Sequence, residues 1–284
     1  MAGVFLIAAI ALSLGYLRRP PTSPRVTPFT SFLGQKSNPV FSPDGNQIAF
    51  IWSGGESAQR GAYVKLIGEG PPLRVASNPG LQLAWSPDGR SIAFDRVGND
   101  GGIFTVPATG GSERRLSDGK SEDVLPSWSR DGRWIYFGSR RSGDWQIWRI
   151  TSTGEQAEQV TRNGGFEAFE AADGKAVYYA KREPGIWRIP LAGGEETRIL
   201  EQGMWGNWAL LEQGICFLDH RAQPQPTLEF FNFATSQVRL FGNVERARAF
   251  GGSPGLAVSA DGRWILYWQV DQIDNDIMLV ENFR

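Results

Sequence analysis

Phe41-Ser42-Pro43-Asp44-Gly45-Asn46-Gln47-Ile48-Ala49-Phe50 decides the fold, because variants of it return along the whole chain. Trp85-Ser86-Pro87-Asp88-Gly89 before Ile92-Ala93-Phe94 is a second copy, and Trp128-Ser129-Arg130-Asp131-Gly132 before Ile135-Tyr136-Phe137 a third. Looser copies are Ala171-Ala172-Asp173-Gly174, Leu211-Glu212-Gln213-Gly214 and Ser259-Ala260-Asp261-Gly262, each followed by an apolar triplet. Their glycines fall 44, 43, 42, 40 and 48 residues apart, a period that signals a repeat array. Pro presets φ for the first central position of a type I turn, Asp tolerates the next, and Gly accepts a left-handed backbone. Apolar, β-branched and aromatic residues flank each turn, so each copy reads as a hairpin in a small antiparallel sheet.

The composition agrees. Among 284 residues, 35 Gly, 17 Pro and 11 Trp favour many short strands over helices. With 29 basic and 30 acidic residues the net charge is −1, so no bulk electrostatic case exists for direct nucleic-acid binding. The single cysteine, Cys216, sits beside Phe217 in an apolar run and reads as a buried strand residue.

Outward from the repeats, residues 2–17 are uncharged and almost wholly apolar, and Arg18-Arg19-Pro20-Pro21 ends the run. As a helix at about 1.5 Å per residue it would cover about 24 Å, against a bilayer core of about 30 Å. Residues 1–19 are expected to be a membrane anchor or an uncleaved signal helix, and residues 20–25 a Pro-containing spacer. Residues 26–284 form the repeat domain. Val26-Thr27-Pro28-Phe29-Thr30 resembles the last strands of later repeats, such as Gln159-Val160-Thr161, and has no first strand of its own. The sixth unit ends on a third strand, Asp276 to Val280, and lacks a fourth. Joining the two closes a ring and removes open sheet edges. The expectation is an all-β, six-bladed propeller of four-stranded antiparallel blades, closed by the N-terminal strand and preceded by a single apolar helix.

The repeat units resemble the WD-like propeller units of the TolB family: an apolar strand, Ser-Pro-Asp-Gly, a strand ending in Ala-Phe or Tyr-Phe, then Ile-Trp and a Gly-Gly turn. The resemblance covers residues 26–284 and is closest in the first three blades; the later blades keep the spacing but lose the Ser-Pro pair. Apolar run, spacer and TolB-like propeller together are similar to the C-terminal part of bacterial membrane regulators, in which a winged-helix or Ser/Thr kinase domain precedes the membrane helix. That resemblance implies an extracytoplasmic, periplasmic propeller. It leaves open a stand-alone anchored propeller or the sensor part of a regulator whose output domain is missing from this chain.

Enzyme signals are poor. His220 is the only histidine, which excludes multi-histidine metal sites. Gly251-Gly252-Ser253-Pro254-Gly255 matches a hydrolase nucleophile elbow, but the following residues read as a hairpin where that motif needs a helix. Asp271, Asp274 and Asp276 read as a solvated acidic loop in preference to a calcium site. Glu170 occupies the place of Phe41, Trp85 and Trp128, which is read as a local shift of strand register, with contact to a channel ligand as the alternative. No catalytic residue, cofactor or metal is expected.

One pattern recurs past the second strand of blades two to five: Arg96; Arg140 and Arg141; Lys181 and Arg182; His220 and Arg221. Loops at this position emerge on one propeller face, so these residues are the candidate partner-binding arc, suited to an acidic protein or peptide. Trp205 and Trp208 are the first tryptophans to look to for a ligand-facing surface. The function expected is a non-enzymatic, membrane-anchored propeller for protein or peptide binding or ligand sensing. The sensor part of a transmembrane regulator or kinase is the alternative, and the accessory propeller of a peptidase the third reading.

Overall fold

The computed structural model describes residues 25–30, 32–53, 60–68, 70–221, 225–244, 255–270 and 275–281. The expected helix at residues 2–17, residues 20–24 of the spacer, and Gly251 to Pro254 lie outside them, as do Asp271 and Asp274, whereas Arg25, expected in the spacer, already belongs to the first strand. Among the described residues no helix is long and apolar enough to cross a membrane.

Strand β1 (Arg25–Pro28) comes first, and blade one follows as β2 (Lys36–Phe41), β3 (Gln47–Trp52), β4 (Gly61–Leu66) and β5 (Leu73–Ser77). Blade two is β6 (Leu83–Trp85), β7 (Ser91–Arg96), β8 (Gly102–Pro107) and β9 (Arg114–Arg115). Blade three is β10 (Asp123–Trp128), β11 (Trp134–Ser139), β12 (Gln146–Thr151) and β13 (Ala157–Gln159). Blade four is β14 (Glu167–Glu170), β15 (Ala176–Ala180), β16 (Ile186–Pro190) and β17 (Thr197–Leu200). Blade five is β18 (Trp208–Leu211), β19 (Gly214–Asp219), β20 (Thr227–Asn232) and β21 (Gln237–Asn243). Blade six supplies β22 (Leu256–Val258), β23 (Trp264–Val270) and β24 (Asn275–Glu281). Its fourth strand is β1: the sheet order is β1-β24-β23-β22, with Val26 opposite Val280 and Pro28 opposite Met278. The ring closes as the missing strands require.

The repeated turn is a closed polar unit. Gly45 N–H donates to Ser42 O, the Ser42 hydroxyl donates to Asp44 at 2.5 Å, and the same hydroxyl accepts from Gln47 N–H at 2.9 Å. Ser86–Asp88, Ser129–Asp131 and Ser259–Asp261 repeat it. Gly45, Gly89, Gly132, Gly174 and Gly262 all take positive φ, whereas Gly214 lies inside β19 opposite Leu211, so blade five turns tightly on Glu212-Gln213.

The apolar triplet after each turn is buried on both faces, apart from the half-buried Tyr178, which is why it reads as a continuous run and not as an alternation. Ile48, Ala49, Phe50, Ile92, Ala93 and Phe94 have no exposed surface, because each second strand is sandwiched between neighbouring blades. Every junction between blades carries its own apolar cluster: Ala49 and Ile51 meet Phe94 and Phe104 between blades one and two, and Ile48 and Phe50 meet Leu266 and Ile277 where blade one meets blade six. Cys216 is buried in the cluster between blades five and six, and burial pushes its thiol up to about 12. Glu170 involves no shift of register: it pairs with Val177 as Trp128 pairs with Ile135 and Trp85 with Ile92. Among the first strands the irregularities fall instead in β2 and β10, where Asn38 and Leu125, each before a proline, take positive φ and the ladder bulges.

Candidate functional site

The connections from second to third strand, and from each blade to the next, emerge on one face of the ring. The predicted arc lies there, in two kinds of setting. Arg96, Arg141 and Lys181 are held in place: each lies over a third-strand aromatic of its own blade, Phe104 at 4.5 Å, Trp148 at 5.0 Å and Trp187 at 4.6 Å. Each also meets a carboxylate: Arg96 that of Glu113, Arg141 that of Asp123 at 2.9 Å, and Lys181 that of Glu196 at 3.0 Å. The Asp123 side chain is 0% exposed, so the Arg141 guanidinium neutralises a buried charge. Arg221 is chelated by Asp219 two residues earlier. Burial holds the His220 imidazole below its ordinary range, which disfavours its charged form.

Arg140 and Arg182 differ. Arg140 is exposed and meets Glu122, equally exposed, at 3.4 Å, a pair that water screens strongly. Arg182 is exposed as well. The two flank a cluster of rings: Arg140 lies 5.9 Å from the Trp145 ring and Arg182 5.8 Å from the Phe166 ring. Phe166 stands edge-on between Trp145 at 4.8 Å and Trp205 at 4.9 Å. Trp145 and Trp205 are half-buried, and the cluster extends through Val124 and Leu125. The structure thus joins Trp205 to Arg140 and Arg182, while Trp208 turns inward and is buried. Trp145 and Phe166 were not singled out from sequence. They sit in connections outside the repeat pattern, and only the ring brings blades three, four and five together there.

The second feature is the channel along the axis, of about 1500 Å³, walled by the first strands of all six blades. Polar groups on these strands tie neighbouring blades together. Trp128 Nε1 donates to Ala84 O at 3.1 Å, and the Ser127 hydroxyl donates to Ala168 O at 2.5 Å. Glu167 accepts from Gly206 N–H at 2.7 Å and from Trp208 Nε1 at 2.6 Å; burial pushes its carboxyl up to about 7 despite those donors. Glu170 is a second tie, accepting from Arg130 N–H at 3.0 Å and from the Tyr136 hydroxyl at 2.5 Å. Among the described residues no group of three His, Cys, Asp or Glu side chains comes together to hold a metal ion.

A family model for the TolB β-propeller domain (PD40) matches residues 36–207, more than half the chain. An uncharacterised protein of Agrobacterium fabrum is 35% identical over 156 residues, covering 52% of each chain. The uncharacterised peptidase YuxL of Bacillus subtilis is 30% identical over 108 residues, 35% of this chain but 16% of that protein. The chain therefore spans about half the length of the first relative and far less of the second. Among solved structures, a TolB-like protein of Agrobacterium tumefaciens superposes with a TM-score of 0.67 at 16% identity, covering 91% of this chain and 97% of that one. The oligogalacturonate lyase of Vibrio parahaemolyticus superposes with a TM-score of 0.63 at 10% identity, covering 92% and 94%. At such identities these likenesses show the fold alone. The repeated Ser-Pro-Asp-Gly hairpins, the closed six-bladed ring and the match over residues 36–207 make this chain a member of the TolB β-propeller (PD40) family.

Proposed function

We propose that the chain is a non-enzymatic binding propeller that takes a protein or peptide segment on the face bearing Arg140 and Arg182. The observation that carries this reading is the half-buried ring cluster Trp145–Phe166–Trp205, flanked by two exposed guanidinium groups. Aromatic and Arg side chains on a concave, partly desolvated surface are the usual anchors of an interface, and the two arginines favour an acidic segment. Arg96, Arg141, Lys181 and Arg221 belong to the same face and shape its field, though their charges are matched locally. The apolar run at residues 2–17 supports attachment to a membrane, and the resemblance to bacterial membrane regulators favours a propeller on the extracytoplasmic, periplasmic side. The same binding face would serve the sensor part of a transmembrane regulator or kinase.

The test is binding of fluorescent acidic peptides bearing an aromatic residue to the full chain in a mild detergent. Arg140→Glu with Arg182→Glu should weaken the bound sequences more than about tenfold, equivalent to about 1.4 kcal/mol, and Trp145→Ala should do the same. Unchanged binding by both variants at low salt would remove this face from consideration. A second reading, the accessory propeller of a peptidase, is favoured by the 30% identity to YuxL and by 38% identity over 86 residues to dipeptidyl-peptidase 5 of Trichophyton equinum. Co-purification with a separate hydrolase subunit would favour that reading.

A further inference from the structure

The channel wall of blades one and two carries polar atoms for which the fold provides no protein partner. Asn38 is 2% exposed, and neither its Oδ1 nor its Nδ2 has a protein group within hydrogen-bonding reach. Gln82, 5% exposed, donates from Nε2 to Pro126 O at 3.4 Å, but its Oε1 accepts from nothing. Trp85 is 9% exposed and its Nε1 donates to nothing. All three residues line the channel.

This wall contrasts with the channel wall of blades three and four. Trp128 holds the place in blade three that Trp85 holds in blade two, and its indole reaches the carbonyl of Ala84 in the preceding blade. Glu167 stands seven residues before the turn glycine Gly174, as Asn38 stands before Gly45 and Gln82 before Gly89. Its carboxyl meets two donors from blade five. A buried polar atom left without a partner costs about 1–3 kcal/mol, and native folds hold few of them. Here four such atoms gather on one wall. Asn38 sits in the β2 bulge with φ of 57°, a conformation that re-aims its carboxamide relative to a regular strand.

We propose that this wall is a binding site for an uncharged, polyhydroxylated ligand, a neutral sugar or sugar unit. The unmet atoms comprise donors (Asn38 Nδ2, Trp85 Nε1) and acceptors (Asn38 Oδ1, Gln82 Oε1), and none carries formal charge. A hydroxyl donates and accepts at once, so adjacent hydroxyls can meet both ends of the Asn38 carboxamide. The rings of Phe41, Trp85 and Trp128 line the same channel and offer apolar faces for the C–H side of a pyranose. The nearby carboxylates of Glu167 and Glu170 are already committed to ties between blades, which leaves neither of them poised for an ion.

The site is separate from the face that bears Arg140 and Arg182, so the two can succeed or fail independently. The experiment is saturation-transfer NMR together with tryptophan fluorescence titration on the full chain, in a detergent without a sugar headgroup. The probes are glucose, galactose, N-acetylglucosamine and maltose, with galacturonate as the charged comparison and acetyl-triglycine amide as the peptide comparison. At least one neutral sugar should saturate with a Kd below about 1 mM. Asn38→Gly keeps the left-handed backbone and removes the carboxamide, and Trp85→Phe removes the indole donor and part of a packed ring but no protein hydrogen bond. Each should weaken that sugar about tenfold with the melting temperature held within a few degrees, while Arg140→Glu with Arg182→Glu should leave it unchanged. Failure of every neutral sugar to saturate, preference for galacturonate or the peptide amide, or an unchanged Kd in Trp85→Phe would overturn the proposal.

Discussion

The Tyr136 hydroxyl of blade three donates to Glu170 Oε2 of blade four at 2.5 Å, and the backbone N–H of Arg130 donates to the other carboxylate oxygen at 3.0 Å. All three residues are places where blades three and four depart from the repeat. Glu170 replaces the aromatic of the first strand, Arg130 the turn proline, and Tyr136 the small residue of the buried triplet. A proline at 130 would have no N–H to give, and an alanine at 136 no hydroxyl. The departures therefore complement one another. Arg149, opposite Tyr136 on the next strand, pairs with Glu158 at 2.6 Å.

Removing one member should expose the coupling. Tyr136→Phe leaves Glu170 short of a donor and should destabilise the propeller by about 2 kcal/mol in urea unfolding. The triple change Arg130→Pro, Tyr136→Ala and Glu170→Trp restores the pattern of blade two and should cost less than the sum of the single changes. Additive losses would show that the three positions act separately.

Glu167 gives the stability a direction with pH. Its folded-state carboxyl is pushed up to about 7 from an ordinary 4.5 by burial, and that of Asp95 up to about 6 from 3.8. The folded state holds these protons more tightly than the unfolded chain, so their contribution is fully present below the ordinary values and is lost as pH rises through about 6 to 7. Stability measured in urea should fall between pH 5 and pH 8, by up to about 3 kcal/mol for Glu167. Glu167→Gln should flatten the profile. An equal slope in that variant would assign the dependence elsewhere.

The two neighbouring arginines of blade three should respond oppositely to truncation. Arg141→Ala strands the buried Asp123 carboxylate and should cost about 3 kcal/mol, whereas Arg140→Ala, in an exposed pair, should change stability by less than about 0.5 kcal/mol. Thermal unfolding of the two variants distinguishes a residue that holds the blade from one available to a partner.

Ring closure can be tested by deleting residues 25–30. This removes β1, the Phe29 N–H bond to Ile277 O at 2.7 Å and the Thr30 hydroxyl that accepts from Ile277 N–H at 3.0 Å. The melting temperature should drop by roughly 10 °C, since about 1 kcal/mol corresponds to 2–4 °C in a domain of this size. An unchanged value would mean that blade six is stable without its outer strand.

The sequence by itself determined the blade number, the hairpin turns and the closure, because these rest on local chemistry repeated at a fixed period: Ser and Asp that close a turn on themselves, Gly with positive φ, and apolar triplets buried on both faces. It also located the row of cations past the second strands. Only the tertiary structure decided which cations are matched, since the partners Glu113, Asp123 and Glu196 lie 15 to 18 residues away and meet them through strand pairing. It likewise gathered Trp145, Phe166 and Trp205 from three blades, turned Glu170 into a tie instead of a register shift, and left Asn38, Gln82 and Trp85 unmatched on one wall. The physical reason is that a repeat fixes what each blade does alone, whereas charge matching, ring stacking and unmet hydrogen bonds depend on atoms of neighbouring strands and blades, whose approach is set by the closed ring.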